Sequence, residues 1–211
     1  MVVDENALLV DANLSRNAGL ITGIYLRRFF VEFWMGNYSE AVRCSELAFS
    51  RPKFTPLGLI SVIHSGARGI IAFRRYKNGE GNAFLNEGKD ILRKLEKLGN
   101  SAILRNSVII LQAELYSTTC EVKKAKEAYE AAIRSSRNIG GIQYQALSYE
   151  LQGDYLSSIV EIPQATESYK NAYKCYMQWG AVTLAHKIQK EQQLEVNETF
   201  ELNSMKHRRG W

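Results

Sequence analysis

Proline is scarce: only Pro52, Pro56 and Pro163 occur in 211 residues. Proline lacks an amide donor and its ring clashes within helix interiors, so long helices are permitted almost everywhere. Long apolar runs are missing too, and no stretch approaches the ~20 uncharged residues that a membrane-crossing helix requires. The opening Met1-Val-Val-Asp-Glu-Asn6 is acidic, without the basic stretch and apolar core of a secretory leader. Cysteine is sparse, odd in number and dispersed, at Cys44, Cys120 and Cys175. That spacing excludes a disulfide framework and leads to an expectation of reduced thiols and a cytoplasmic setting.

Catalytic signatures are absent as well. His64, His186 and His207 have no carboxylate or cysteine at metal-ligand spacing. There is no Gly-x4-Gly-Lys-Ser/Thr phosphate loop and no Gly-x-Ser-x-Gly elbow. Gly79-Glu-Gly81 and Gly140-Gly141 follow no strand pattern and read as turns. Glu195 and Glu198 lie in a polar stretch and read as solvated. The order of His64-Ser-Gly-Ala-Arg68-Gly69 differs from that around a phospho-accepting histidine, which makes His64 a packing residue. No catalytic, cofactor-binding or metal-binding residue is therefore expected, and the chain reads as a non-enzyme.

Against these absences stands a repeat. Gly99, Gly140 and Gly180 fall about 40 residues apart, each closing a helix-rich segment. Before the last two runs the same phrase: Ala125-x3-Tyr129-x2-Ala132-Ile133 and Ala165-x3-Tyr169-x2-Ala172-Tyr173. Small residues at Ala41, Ala83, Ala125 and Ala165 continue the period, as close approach of paired helices demands. Apolar periodicity and stop signals predict helix pairs over 18–50, 56–98, 102–138 and 142–179. A capping helix follows over 181–196. Residues 1–17 form an N-terminal extension with either a short strand or a helical turn, and 197–211 a loose basic tail. The fold expected is all-α: a right-handed superhelix of about four antiparallel helix pairs plus a C-terminal cap.

The third and fourth pairs resemble tetratricopeptide repeats. Ala113, Tyr116, Ala125, Tyr129 and Ala132 occupy the family's slots in the third pair; Tyr149, Gly153, Leu156, Ala165, Tyr169 and Ala172 do so in the fourth. In the first pair Gly36-Asn37-Tyr38 with Ala41 and Ala48 matches the turn, whereas Phe29 stands where a small residue is expected. A narrower likeness rests on Tyr129-Glu-Ala-Ala-Ile133, Ala146-Leu-Ser-Tyr-Glu150 and Tyr176-Met-Gln-Trp-Gly-Ala181. Together these are similar to the helical region of large multi-domain sensor kinases with an ATPase module. No kinase, ATPase or transmitter motif accompanies them, so no such activity carries over.

The resemblance implies a scaffold for protein or peptide partners, or for adjacent domains of a signalling protein. The first helix of each pair would line a concave face, which places Ser107, Ile110, Glu114, Ser117, Glu150, Asp154 and Ser157 inward. That face would be polar and slightly acidic, suited to a basic or hydrogen-bonding guest. The alternatives are a helical repeat binding nucleic acid through Arg27-Arg28, Arg68, Arg74, Arg75, Lys77, Lys123, Lys124 and Lys126, or a piece of a larger signalling protein. Acids interleave with these bases, which favours a solvated surface. Phe29, Phe30, Phe33 and Trp34 form a wide apolar arc, read as core or as a docking face for a neighbouring domain or second copy.

Overall fold

A computed structural model describes residues 4–50, 58–99 and 101–195. Ten helices account for nearly all of them, and no strand occurs among the described residues. They are α1 (Glu5–Leu14), α2 (Ala18–Met35), α3 (Tyr38–Phe49), α4 (Leu59–Lys77), α5 (Asn82–Lys97), α6 (Ala102–Thr118), α7 (Val122–Asn138), α8 (Ile142–Ser158), α9 (Ile162–Trp179) and α10 (Val182–Glu191). The opening segment forms the helix α1, capped by Asp4, whose carboxylate accepts from the amides of Asn6 and Ala7. The expected start of α4 at Pro56 and the tail over 197–211 lie outside the described residues.

One connector geometry recurs along the chain. At five helix ends one residue turns left-handed and the next amide bonds back to a carbonyl five residues earlier. Asn37 donates to Glu32, Glu121 to Tyr116, Gly141 to Ser136, Glu161 to Leu156 and Ala181 to Tyr176, all at 2.9–3.0 Å. This closes the helix by satisfying a carbonyl that would otherwise be orphaned. Glycine supplies the left-handed residue at Gly36, Gly140 and Gly180. At the two intervening turns it is instead Cys120 (φ 59°) and Val160 (φ 64°). The next helix follows after a single residue, so the chain doubles back tightly.

Consequently α2 lies on α3, α4 on α5, α6 on α7 and α8 on α9, with α5 against α6 and α7 against α8 joining successive pairs. Close approach depends on small residues. Ala41, Ala125 and Ala165 are fully or almost fully buried. Ala83 is exposed, so the expected register fails in the second pair, where Leu85 packs on the core instead. Gly88 there admits the ring of Phe73, as Gly153 admits that of Tyr169; a Cβ at either would stand 2.6 Å from a ring carbon.

The first pair departs from this stacking order. Phe29 and Phe33 are buried in the core shared by α4, α6 and α7, and Phe29 packs 4.5 Å from the His64 ring of α4. Trp34 reaches the far end of the molecule, 5.2 Å from the ring of Trp179 and 6.3 Å from that of Tyr176. Lys187 of α10 donates to the Met35 carbonyl at 2.8 Å. The α2–α3 hairpin thus spans from α4 to the end of α9.

Candidate ligand-binding hollow

The first helices of the pairs share one hollow, and its chemistry changes along their length. Towards their N-terminal ends it is apolar. α4 contributes Ile63, Gly66, Ala67 and Ile70; α6 contributes Ser107 and Ile110; α8 contributes Gln143, Tyr144 and Leu147. The spacing of 63, 67 and 70, and of 143, 144 and 147, puts each set on one helix face. Phe30, Phe33 and Trp34 of α2 close over these, with Trp179 beside them. The space amounts to about 120 Å³. Burial raises the Tyr144 hydroxyl above its ordinary value, so it stays protonated at neutral pH.

One turn further on, the same helices turn polar. Arg74 follows Ile70 on α4 and forms an ion pair with Asp154 of α8, its guanidinium 5.8 Å above the Tyr38 ring. Tyr169 donates to Asp154 at 2.9 Å, and Tyr176 donates to Glu150. On α6, Glu114 receives Lys77 at 3.0 Å and the Tyr129 hydroxyl at 2.6 Å. Burial would raise the Glu114 carboxyl, but the charges of Lys77 and Arg74 outweigh it and hold the group below its usual range. Glu150 shifts upward, first through burial and then through the neighbouring Asp154 charge. Burial pushes the Tyr38 hydroxyl up to about 12. Arg74 Nε is buried without a hydrogen-bond partner among the described residues.

The seven residues expected on the inner face therefore separate. Ser107 and Ile110 line the apolar hollow. Glu114, Glu150 and Asp154 join the polar layer, each held by a cation or tyrosine of the chain itself. Ser117 is half-buried and Ser157 is exposed. Glu150 and Asp154 also line a second, polar hollow with Tyr38, Arg74, Tyr169 and Lys187, where cations and tyrosines of the chain itself stand beside them. Spacing along one helix cannot reveal a counter-ion that arrives from another. Tyr144, Leu147 and Trp179 were not singled out as lining residues, whereas Phe30, Phe33 and Trp34 belong to the apolar arc that the sequence showed on the first helix.

Several other groups resolve into structural roles. His64 accepts from or donates to Ser45 Oγ at 2.9 Å and sits between the rings of Phe29 and Phe49. Burial, helped by Arg68, pushes its pKa down to about 4. The basic clusters meet acids: Arg27 and Arg28 pair with Glu5, Arg68 with Glu87, Arg75 with Glu80, Lys124 with Glu121 and Lys126 with Glu161. Cys44 and Cys175 are buried and Cys120 is exposed, all as free thiols. Among the described residues no cluster of three or more His, Cys, Asp or Glu could hold a metal. No helix among them is long and apolar enough to cross a membrane.

No protein-family model, no curated protein and no solved structure matches this chain.

Proposed function

We propose that the chain is a non-catalytic interaction and relay scaffold, a right-handed superhelix of tetratricopeptide-like helix pairs that recognises its partner through the shared inner hollow. One observation carries the reading: α4, α6 and α8, the first helices of successive pairs, all turn a face to the same apolar space. Tetratricopeptide-like stacks use that face for recognition, and the sequence phrases around Tyr129, Tyr149 and Tyr176 resemble those of the sensor-kinase helical region. Since the acids are engaged within the chain, the recognition surface is apolar. It continues to the exterior through Ile60, one turn before Ile63 and half exposed, and through the partly exposed Trp179. Except for Lys123, each of the basic residues named pairs with an acid of the chain, which lowers the net positive charge of these clusters and weakens the nucleic-acid reading.

Affinity capture with mass-spectrometric identification tests this. Proteins retained by the intact chain should be lost with the Ile60→Ser, Trp179→Ser double variant and kept with Glu130→Gln, a change on an exposed outer face. An identical set from all three chains removes the proposal.

A further inference from the structure

The hollow has features that decide what can fill it. Beyond Ile70 and Leu147 the Arg74–Asp154 ion pair crosses from α4 to α8. Trp34 against Trp179 closes the side between the first hairpin and α9. The volume of about 120 Å³ is comparable to that of apolar cavities of ~150 Å³ that take up a small aromatic molecule, so the occupant must be compact.

Charge is decided as well. The lining contains no Asp, Glu, Lys, Arg or His, so it carries no charge at neutral pH. A charged guest would lose its hydration without gaining a counter-ion, which is strongly unfavourable. Polarity is supplied on one side only. Ser107 Oγ donates to the Ile103 carbonyl and keeps its lone pairs for accepting. Neither the Gln143 amide nor the Tyr144 hydroxyl is engaged by another side chain of the described residues. These groups suit one hydroxyl or carbonyl on an otherwise apolar body, and the aromatic walls Phe30, Phe33 and Trp34 suit a flat one.

We infer that the hollow binds a free, compact, uncharged apolar molecule carrying a single hydrogen-bonding group, of the size and polarity of an aromatic alcohol. This rests on the reading of the hollow as the recognition site and adds a small-molecule input to it. Because Trp34 belongs to the first hairpin and Trp179 to the end of α9, such a ligand would touch both parts of the fold at once.

The test is calorimetric titration of the intact chain with 1-naphthol and with its charged counterpart 1-naphthalenesulfonate. Saturable one-to-one binding of naphthol is expected, with the sulfonate weaker by at least about tenfold. Ile63→Trp and, separately, Gln143→Trp place bulk on opposite sides of the mouth. Either variant that retains the wild-type thermal transition should weaken naphthol by at least about tenfold, as filling a pocket of fixed walls demands. Absence of saturation, equal binding of the sulfonate, or unchanged affinity in both folded variants overturns the inference. Should naphthol fail while the Ile60, Trp179 variant still loses its captured proteins, only the small-molecule inference falls.

Discussion

The indole of Trp34 lies 5.2 Å from that of Trp179 at an angle of 56°, joining the end of α2 to the end of α9. Trp34 also packs against both apolar clusters of the molecule. The contact therefore acts as a clasp between segments distant in sequence. The hairpin pairs meet along their helices, whereas α2 and α9 meet chiefly through these side chains.

A double-mutant cycle on the clasp should show coupling. Trp34→Ala removes a large half-buried ring and should cost about 3 kcal/mol. Trp179→Ala, from a more exposed site, should cost about 1–2 kcal/mol. The double variant should be more stable than the sum of losses indicates, by roughly 0.5–1.5 kcal/mol, the usual worth of an aromatic pair beyond area burial. Urea unfolding measures all four chains; strict additivity would mean the rings do not support each other.

The Arg74–Asp154 pair offers a sharper asymmetry. Asp154→Ala leaves the Arg74 guanidinium without its carboxylate and also strips the Tyr169 hydroxyl of its acceptor. The loss should be about 2–3 kcal/mol, short of the full figure for a buried pair because both side chains remain partly exposed. Replacing both, as Arg74→Met with Asp154→Leu, should recover at least half of that loss, since no unpaired charge is then buried. A double variant less stable than Asp154→Ala would contradict this.

The contrast between apolar and polar layers explains what the sequence could and could not disclose. Ala18–Met35, Ala102–Thr118, Val122–Asn138 and Ile142–Ser158 appear with the boundaries that periodicity and stop residues predict. Each of these signals is local: a glycine turn, a small residue at a helix contact, an apolar stripe. Gly99, Gly140 and Gly180 were legible as residues closing helices and Gly36 as a turn, but the left-handed Cys120 and Val160 were not, because neither residue type favours that conformation. Ala83 misled because alanine marks a close contact only where the helix faces inward. The hollow itself was half legible. Ser107 and Ile110 follow from register, whereas Trp34, Trp179 and Arg74 depend on where the first hairpin comes to rest.

Val160 gives a stabilising prediction. It is branched at Cβ, 79% exposed and left-handed at φ 64°, so its side chain clashes with its own backbone while packing little. Val160→Gly should relieve about 1 kcal/mol of strain and retain a net gain of several tenths after the extra entropy of an unfolded glycine. Val160→Ala, which keeps the Cβ, should gain less. Thermal unfolding separates the two, and a lower midpoint for the glycine variant would show that the connector is not strained.

The buried His64 sets a pH dependence whose sign can be worked out. Its pKa is about 4 in the folded chain, against about 6.5 for an exposed imidazole. Between these values the unfolded chain binds the proton and the folded chain does not, so stability falls as pH drops through this window. The full contribution is present above about pH 6.5, and about 3 kcal/mol of it should be lost by pH 4. The groups around the ring reinforce this, since Phe29 and Phe49 flank it, Ser45 bonds it, and Arg68 opposes a second positive charge. His64→Gln keeps a polar group near Ser45 and removes the titration. Stability from urea unfolding, compared at pH 7 and pH 4.5, should then fall less in the variant than in the parent by about 2–3 kcal/mol. Parallel pH profiles for the two chains would show that His64 is not the neutral, buried group described here.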